Sequence, residues 1–158
     1  MSQTPDVQPI IEDVSYLVDE LEALKSVIQV APYQERPPGA VSILDMLARI
    51  REQQEQYYKP LIEAALTGES TENIQPVSEN YTEDNQDINE VLNSVIEKRK
   101  TYAGMLDKLT EQQWQKPADT FDTVASVVQN QIEFDRSILK EIAESVLTLD
   151  KSRSTPQQ

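Results

Sequence analysis

Apolar residues recur at steps of three and four along four stretches of this chain, the spacing that lets an α-helix present a single apolar face. The first stretch, starting after Pro5 or Pro9, carries Ile10, Val14, Leu17, Val18, Leu21, Leu24, Val27 and Ile28, with Asp13, Asp19, Glu20, Glu22 and Lys25 mainly on the other face. The second starts near Ser42 and carries Ile43, Met46, Leu47, Ile50, Tyr57, Leu61, Ile62 and Ala65. A third, from Asp87 to Leu109, presents Ile88, Val91, Leu92, Val95, Ile96, Tyr102, Met105, Leu106 and Leu109. The fourth runs from Asp122 or Thr123 to about Leu149, and Gln131 and Asp135 interrupt its apolar stripe near the middle. Only 3 of the 158 residues are Gly. With no strand alternation between the stretches, an all-α four-helix bundle over residues 1–150 is expected, followed by a frayed polar tail at 151–158.

The punctuation between the stretches has its own chemistry. The connector 31–39 holds Pro32, Pro37 and Pro38, which lack amide donors and push the preceding residues out of the helical region. Ser42 with Asp45 resembles a capping box at the start of the second helix. Pro60 falls inside the second stretch, so a kink or a break is expected one turn earlier. From Glu69 to Glu90 there are seven acidic residues and no Lys or Arg. That segment reads as a long acidic crossover loop, most mobile between Gly68 and Asp84, that is either a solvated loop or a site for a cation or basic partner. Thr110 to Gln115 reads as a short helical turn, with Trp114 as an anchor between helices.

Charge and two absent residue types remove much chemistry. Twenty-eight acidic residues against 14 Lys plus Arg give a net charge of −14, which argues against polyanionic partners, so neither nucleic acid nor an anionic membrane is expected. The chain has no Cys and no His. Thiolate nucleophiles, Cys-ligated metal, imidazole ligands and Ser–His–Asp catalysis by this chain alone are therefore excluded. The start of the chain is polar and lacks the pattern of a signal peptide, and no apolar run reaches the roughly 20 residues a bilayer requires. A cytoplasmic protein without a cofactor is expected.

The segment from Arg36 to Ile50, with Pro37-Pro38-Gly39 leading into Val41-Ser42-Ile43 and then Leu47-Ala48-Arg49-Ile50, resembles the start of the second helix in the DinB-like family of damage-inducible bacterial four-helix proteins. In that family an aromatic precedes Ser-Ile, and a Leu-Ala-His-Leu stretch supplies the first metal ligand. Leu109-Thr110 with Trp114 is similar to the family's corner after the third helix. The run from Phe134 to Ile142 is similar to its last-helix signature, in which two His residues sit four apart around an Asp. The resemblance implies a DinB-like bundle and, in some members, metal-dependent thiol-transferase or hydrolase-like activity. Here the three ligand positions fall on Arg49, Phe134 and Ile138, so no His-ligated metal is expected, and Phe134 and Ile138 would fill that volume with hydrocarbon. The implied protein is a non-catalytic member that has lost the metal site and acts as a small-ligand-binding or scaffold module.

Candidate sites follow from the polar residues near the helix centres. Arg49, Gln53, Tyr57, Gln131 and Asp135 could form a pocket for a small anionic or amide-bearing ligand with Arg49 as charged anchor, or a structural hydrogen-bond layer between helices. An inward-facing Arg49 would need a carboxylate, with Asp135 first and Glu52 or Glu133 next; alternatively its long stem reaches solvent. The carboxylate pairs Glu52/Glu55 and Glu141/Glu144 support an alternative function, a Mg- or Mn-dependent hydrolase or transferase acting on a phosphorylated small molecule, if at least three carboxylates converge. Lys98, Arg99 and Lys100 are expected to pair with a neighbouring acidic face. Tyr57-Tyr58 reads as packing plus one exposed ring, and Tyr16, Tyr33 and Tyr58 as surface that a homodimer would cover.

Overall fold

The computed structural model describes residues 7–30 and 32–154, with side chains described for 7–27 and 32–148. Among these residues every regular element is a helix: α1 (Gln8–Val30), α2 (Ile43–Gln53), a π-helical turn (Gln54–Tyr58), α3 (Lys59–Thr67), α4 (Ile88–Asp107), α5 (Glu111–Trp114) and α6 (Val124–Ser154). No helix among them is long and apolar enough to cross a membrane.

Local chemistry sets the helix starts. The Ser42 hydroxyl accepts from the Asp45 amide at 3.0 Å while the Asp45 carboxylate accepts from the Ser42 amide at 2.9 Å, a reciprocal box that satisfies two otherwise orphaned donors. Asp87 caps α4 through the amides of Asn89 and Glu90. Thr110 and Gln113 form a second reciprocal box ahead of α5. Gly68 ends α3 in the left-handed region at φ 77°, where a side chain would be strained.

The expected break ahead of Pro60 takes the form of the π turn. Lys59 N–H bonds to Gln54 O, five residues back. One extra residue is accommodated and the helical run continues from Ile43 to Thr67 without a connector. Gln53 and Gln54 flank the start of this turn, and both are buried although they are adjacent in sequence.

The core divides into two apolar clusters. One gathers Leu17 and Leu21 of α1, Ile43 to Ile50 of α2, Ile88 to Ile96 of α4, and Ile138 and Ile142 of α6. The other gathers Val14, Tyr58, Leu61, Ile62, Tyr102, Leu106, Trp114 and the Val124 to Ile132 part of α6. Phe134 packs against both. Each long helical stretch crosses from one cluster to the other, and three of the four do so at a buried polar side chain: Gln53 and Gln54 on α2 and the π turn, Arg99 on α4, Gln131 and Asp135 on α6.

The same assignment gives the helix directions. α1 and α6 run from the second cluster to the first, whereas the α2–α3 run and α4 go from the first to the second. Parallel neighbours need a long return connection, and residues 68–87 supply it.

That return segment is pinned along α2. Val77 N–H donates to Gln53 Oε1 at 2.7 Å, Glu83 N–H donates to Asp45 Oδ1 at 2.9 Å, and Arg51 pairs with the Glu83 carboxylate. Ile74 and Tyr81 pack on the two apolar clusters. The acidic segment is thus a docked strap instead of a loop free in solvent, because its own amides and one carboxylate find partners on α2.

Two further expectations are corrected. α6 extends through Ser154, past the expected end at Leu149, so the first part of the expected tail is helical; the remainder, 155–158, lies outside the described residues, as does the start of the chain. Tyr58 is buried at 2% exposure because it sits in the second cluster and donates to Asn130 Oδ1 at 2.8 Å, while Tyr16 is 57% exposed as expected.

Candidate functional site

The polar layer that separates the two clusters is centred on Arg99. On α4, Arg99 falls in the register of Val95, Ile96, Tyr102 and Leu106, so its side chain enters the core, where it is 1% exposed. Its Nη1 lies 2.7 Å from Asp135 Oδ2 and its Nη2 lies 3.2 Å from Oδ1. Nη1 also donates to the Val14 carbonyl at 3.2 Å, and Nε donates to Gln54 Oε1 at 2.7 Å. Gln54 is held in turn by its own amide donating to the Lys98 carbonyl at 3.0 Å. The layer ties all four long helical stretches together: α1 by a carbonyl, the α2–α3 run by Gln54, α4 by Arg99 and α6 by Asp135.

Burial pushes the Asp135 carboxyl above its ordinary value, and the Arg99 guanidinium works against that shift. Tyr102, fully buried beside Arg99, has its phenol pushed up by desolvation. Its hydroxyl has no hydrogen-bond partner among the described residues, and neither has Gln131 Oε1. Gln131 does reach Gln54 Oε1 through its amide at 3.4 Å.

Of the five residues expected to share a pocket, the structure places Gln131 and Asp135 in this layer and directs the other three elsewhere. Gln53 accepts from the strap at Val77. Tyr57 is half-buried, edge-on to Tyr58 with ring centroids 5.0 Å apart, and its phenol is raised by burial and by the charge of Asp119. Arg49 lies with its guanidinium carbon 5.0 Å from the centre of the Phe134 ring.

The expected pairing of Arg49 with Asp135 is corrected: Arg99 occupies that carboxylate. Glu52 is engaged by Arg51 at 2.8 Å and by Gln56, and Glu133 is exposed. Arg49 therefore makes no ion pair or hydrogen bond among the described residues, and its buried Nε is without a partner. The other arginines whose side chains are described each meet a carboxylate: Arg36 with Asp45, Arg51 with Glu52 and Glu83, Arg99 with Asp135, and Arg136 with Asp13. The pattern that reveals Arg99 in the sequence is its place in the α4 apolar register, although Lys98 and Lys100 flank it as an apparent surface cluster. Those two lysines do behave as surface groups, Lys98 near Glu55 at 3.8 Å and Lys100 near Glu97 at 3.8 Å.

A second polar centre fastens the strap. Asp45 receives Arg36 through two bonds, at 2.7 and 2.9 Å, besides the Ser42 and Glu83 amides. Burial alone would raise the Asp45 carboxyl, but these donors outweigh it and hold it well below the usual carboxylate range. Glu83 is likewise lowered, burial being outweighed by the Asn85 amide, Arg51 and Tyr81. Tyr81, desolvated and hydrogen-bonded to Glu83 at 3.0 Å, is pushed up to about 12.

The side chains at 49, 134 and 138, where the resemblance to the DinB-like family would put metal ligands, do not offer donors to a divalent cation. Arg49 stacks on Phe134, and Ile138 is 3% exposed within the first cluster. Among the described residues no group of three or more Asp and Glu side chains is placed to hold a metal ion. Glu52 and Glu55 are occupied by arginine, glutamine and lysine partners, while Glu141 and Glu144 are exposed on α6. No family model, curated protein or solved structure matches the chain.

Proposed function

We propose that this protein is a non-catalytic four-helix bundle of the DinB-like type, without the His metal site, that acts as a small-ligand-binding module with Arg49 as the anchor for an anionic group. The observation that carries the reading is the isolation of Arg49. In a chain with twice as many acidic as basic residues, its guanidinium rests on an aromatic face with no carboxylate attached among the described residues. An arginine in that state keeps its donor fork available for a carboxylate or phosphate. The bundle centre, by contrast, is closed by Arg99 and Asp135, which satisfy each other. The topology of α1, the α2–α3 run, α4 and α6, with a long strap between the two parallel members, supports the bundle assignment.

The reading is tested by following the Arg49 Nε–Hε resonance of the ¹⁵N-labelled protein during titration with inorganic phosphate and, separately, with acetate. A saturable shift of that resonance, lost in Arg49→Met, is expected. Equal thermal stabilisation of wild type and Arg49→Met by either anion, with no movement of the Arg49 signal, would overturn it.

A further inference from the structure

Where the connector between α1 and α2 meets the C-terminal half of α6, the surface opens into a groove of about 360 Å³. Val41, Ile43 and Met46 form its apolar floor, Pro37 stands on one side and α6 on the other. This volume is at the small end of the roughly 300–1,000 Å³ typical of small-molecule sites. The α6 residues that line it, at 141, 144, 145 and 148, recur at steps of three and four and so form one face about 10 Å long.

Two carboxylates stand one helical turn apart on that face. Glu141 and Glu144 are exposed and make no ion pair or hydrogen bond among the described residues. Elsewhere Glu22, Glu52, Glu55, Glu83 and Glu97 each have a basic partner. Among the described residues no Lys or Arg lines the groove. Its chemistry is therefore a hydrocarbon floor with uncompensated negative charge on the rim, in a molecule whose net charge is −14.

The geometry points to a small aliphatic amine as the occupant of this groove: a primary ammonium on a short alkyl chain. The chain removes apolar floor from water, and the ammonium rests between rim carboxylates that stay hydrated, so neither charge bears a full desolvation cost. A carboxylate on the same chain is repelled, and a neutral chain gains the apolar contribution alone. The limited length of the groove favours a free amine over an extended basic peptide. This assignment rests on the reading of the protein as a binding module, but it uses none of the residues around Arg49.

The test is a two-dimensional ¹H–¹⁵N titration of the full chain with n-hexylammonium chloride, with 1-hexanol and sodium hexanoate in parallel. Saturable shifts confined to residues 37–46 and 141–148 are expected, with hexylammonium binding at least about fivefold tighter than hexanol and hexanoate weaker than both. In E141Q/E144Q, whose changes are exposed and nearly isosteric, the preference for ammonium over hexanol should disappear. Equal binding of hexanol and hexylammonium, or non-saturating shifts spread over the acidic surface, would overturn the assignment. Phosphate binding at Arg49 without amine binding in the groove defeats the groove assignment alone; binding of neither defeats the module reading as well.

Discussion

Arg99 and Asp135 face each other across the core through two hydrogen bonds of 2.7 and 3.2 Å, and both are nearly withdrawn from water, at 1% and 5% exposure. This pair separates the two apolar clusters and fixes the register of α4 against α6. A buried pair of this kind gains little over a well-packed apolar pair, because desolvating both charges offsets most of their attraction. Its removal one side at a time is a different matter.

Asp135→Ala leaves the Arg99 guanidinium buried with only the Val14 carbonyl and Gln54 as acceptors. A loss of about 3–5 kcal/mol is expected in urea unfolding. Arg99→Met together with Asp135→Leu removes both charges and should recover most of that loss. If the double variant is as unstable as the single one, the layer holds the helices by polar contacts and not by avoiding an unpaired charge.

Acid should release the strap before it disrupts the rest. Asp45 and Glu83 have folded values lowered from those of the unfolded chain. For a lowered carboxyl the unfolded chain binds more protons in the intervening window. Its stabilisation is therefore present above the unfolded value of about 4 and is lost as pH falls through and below it. Asp135 is shifted upward and works in the opposite sense. Unfolding free energies measured from pH 7 to pH 3 should fall with acid, and Asp45→Asn should flatten that slope while lowering stability at pH 7 by about 1–3 kcal/mol. An unchanged slope in Asp45→Asn would refute the role given to this carboxylate.

The strap's second fastening can be cut separately. Gln53→Ala removes the acceptor for the Val77 amide, and a loss of about 1 kcal/mol is expected. Amide exchange should accelerate around Val77 while the Arg99 layer stays protected. Uniform acceleration throughout α2 and α4 would show that Gln53 supports the core instead of the strap.

The periodic stretches, the Ser42–Asp45 box and the disruption ahead of Pro60 were all legible as local chemistry, since each depends on residues within a few positions of one another. The long-range polar pairing was not. Asp135 was visible as a polar break in an apolar stripe, but nothing in the sequence says which of two arginines on different helices reaches it. Arg99 wins because the α4 register turns it into the core, whereas Arg49 lies on Phe134. The docking of the acidic strap is hidden in the sequence for a related reason. Its composition suggests solvation, and its actual partners are Asp45, Arg51 and Gln53, about 30 residues earlier in the chain. The groove combines a connector with α6, about 100 residues apart, so the Glu141/Glu144 spacing could be seen while its apolar floor could not.

The Tyr102 hydroxyl offers a test of how tightly the polar layer is satisfied. It is fully buried, its ring lies beside the Arg99 guanidinium at 5.9 Å, and its oxygen has no hydrogen-bond partner among the described residues. A buried hydroxyl without a partner forfeits its hydration and gains nothing in return, so Tyr102→Phe should leave the fold intact and raise stability by about 0.5–1 kcal/mol. The ring itself packs in the second cluster with Tyr58, Leu106 and Trp114, and Tyr102→Ala should therefore cost about 3–5 kcal/mol. Urea unfolding of the two variants separates the contributions of oxygen and ring. A loss of more than about 1 kcal/mol in Tyr102→Phe would show that the hydroxyl is bonded in solution, through an ordered water linking it to another polar group of the layer such as Gln131 Oε1.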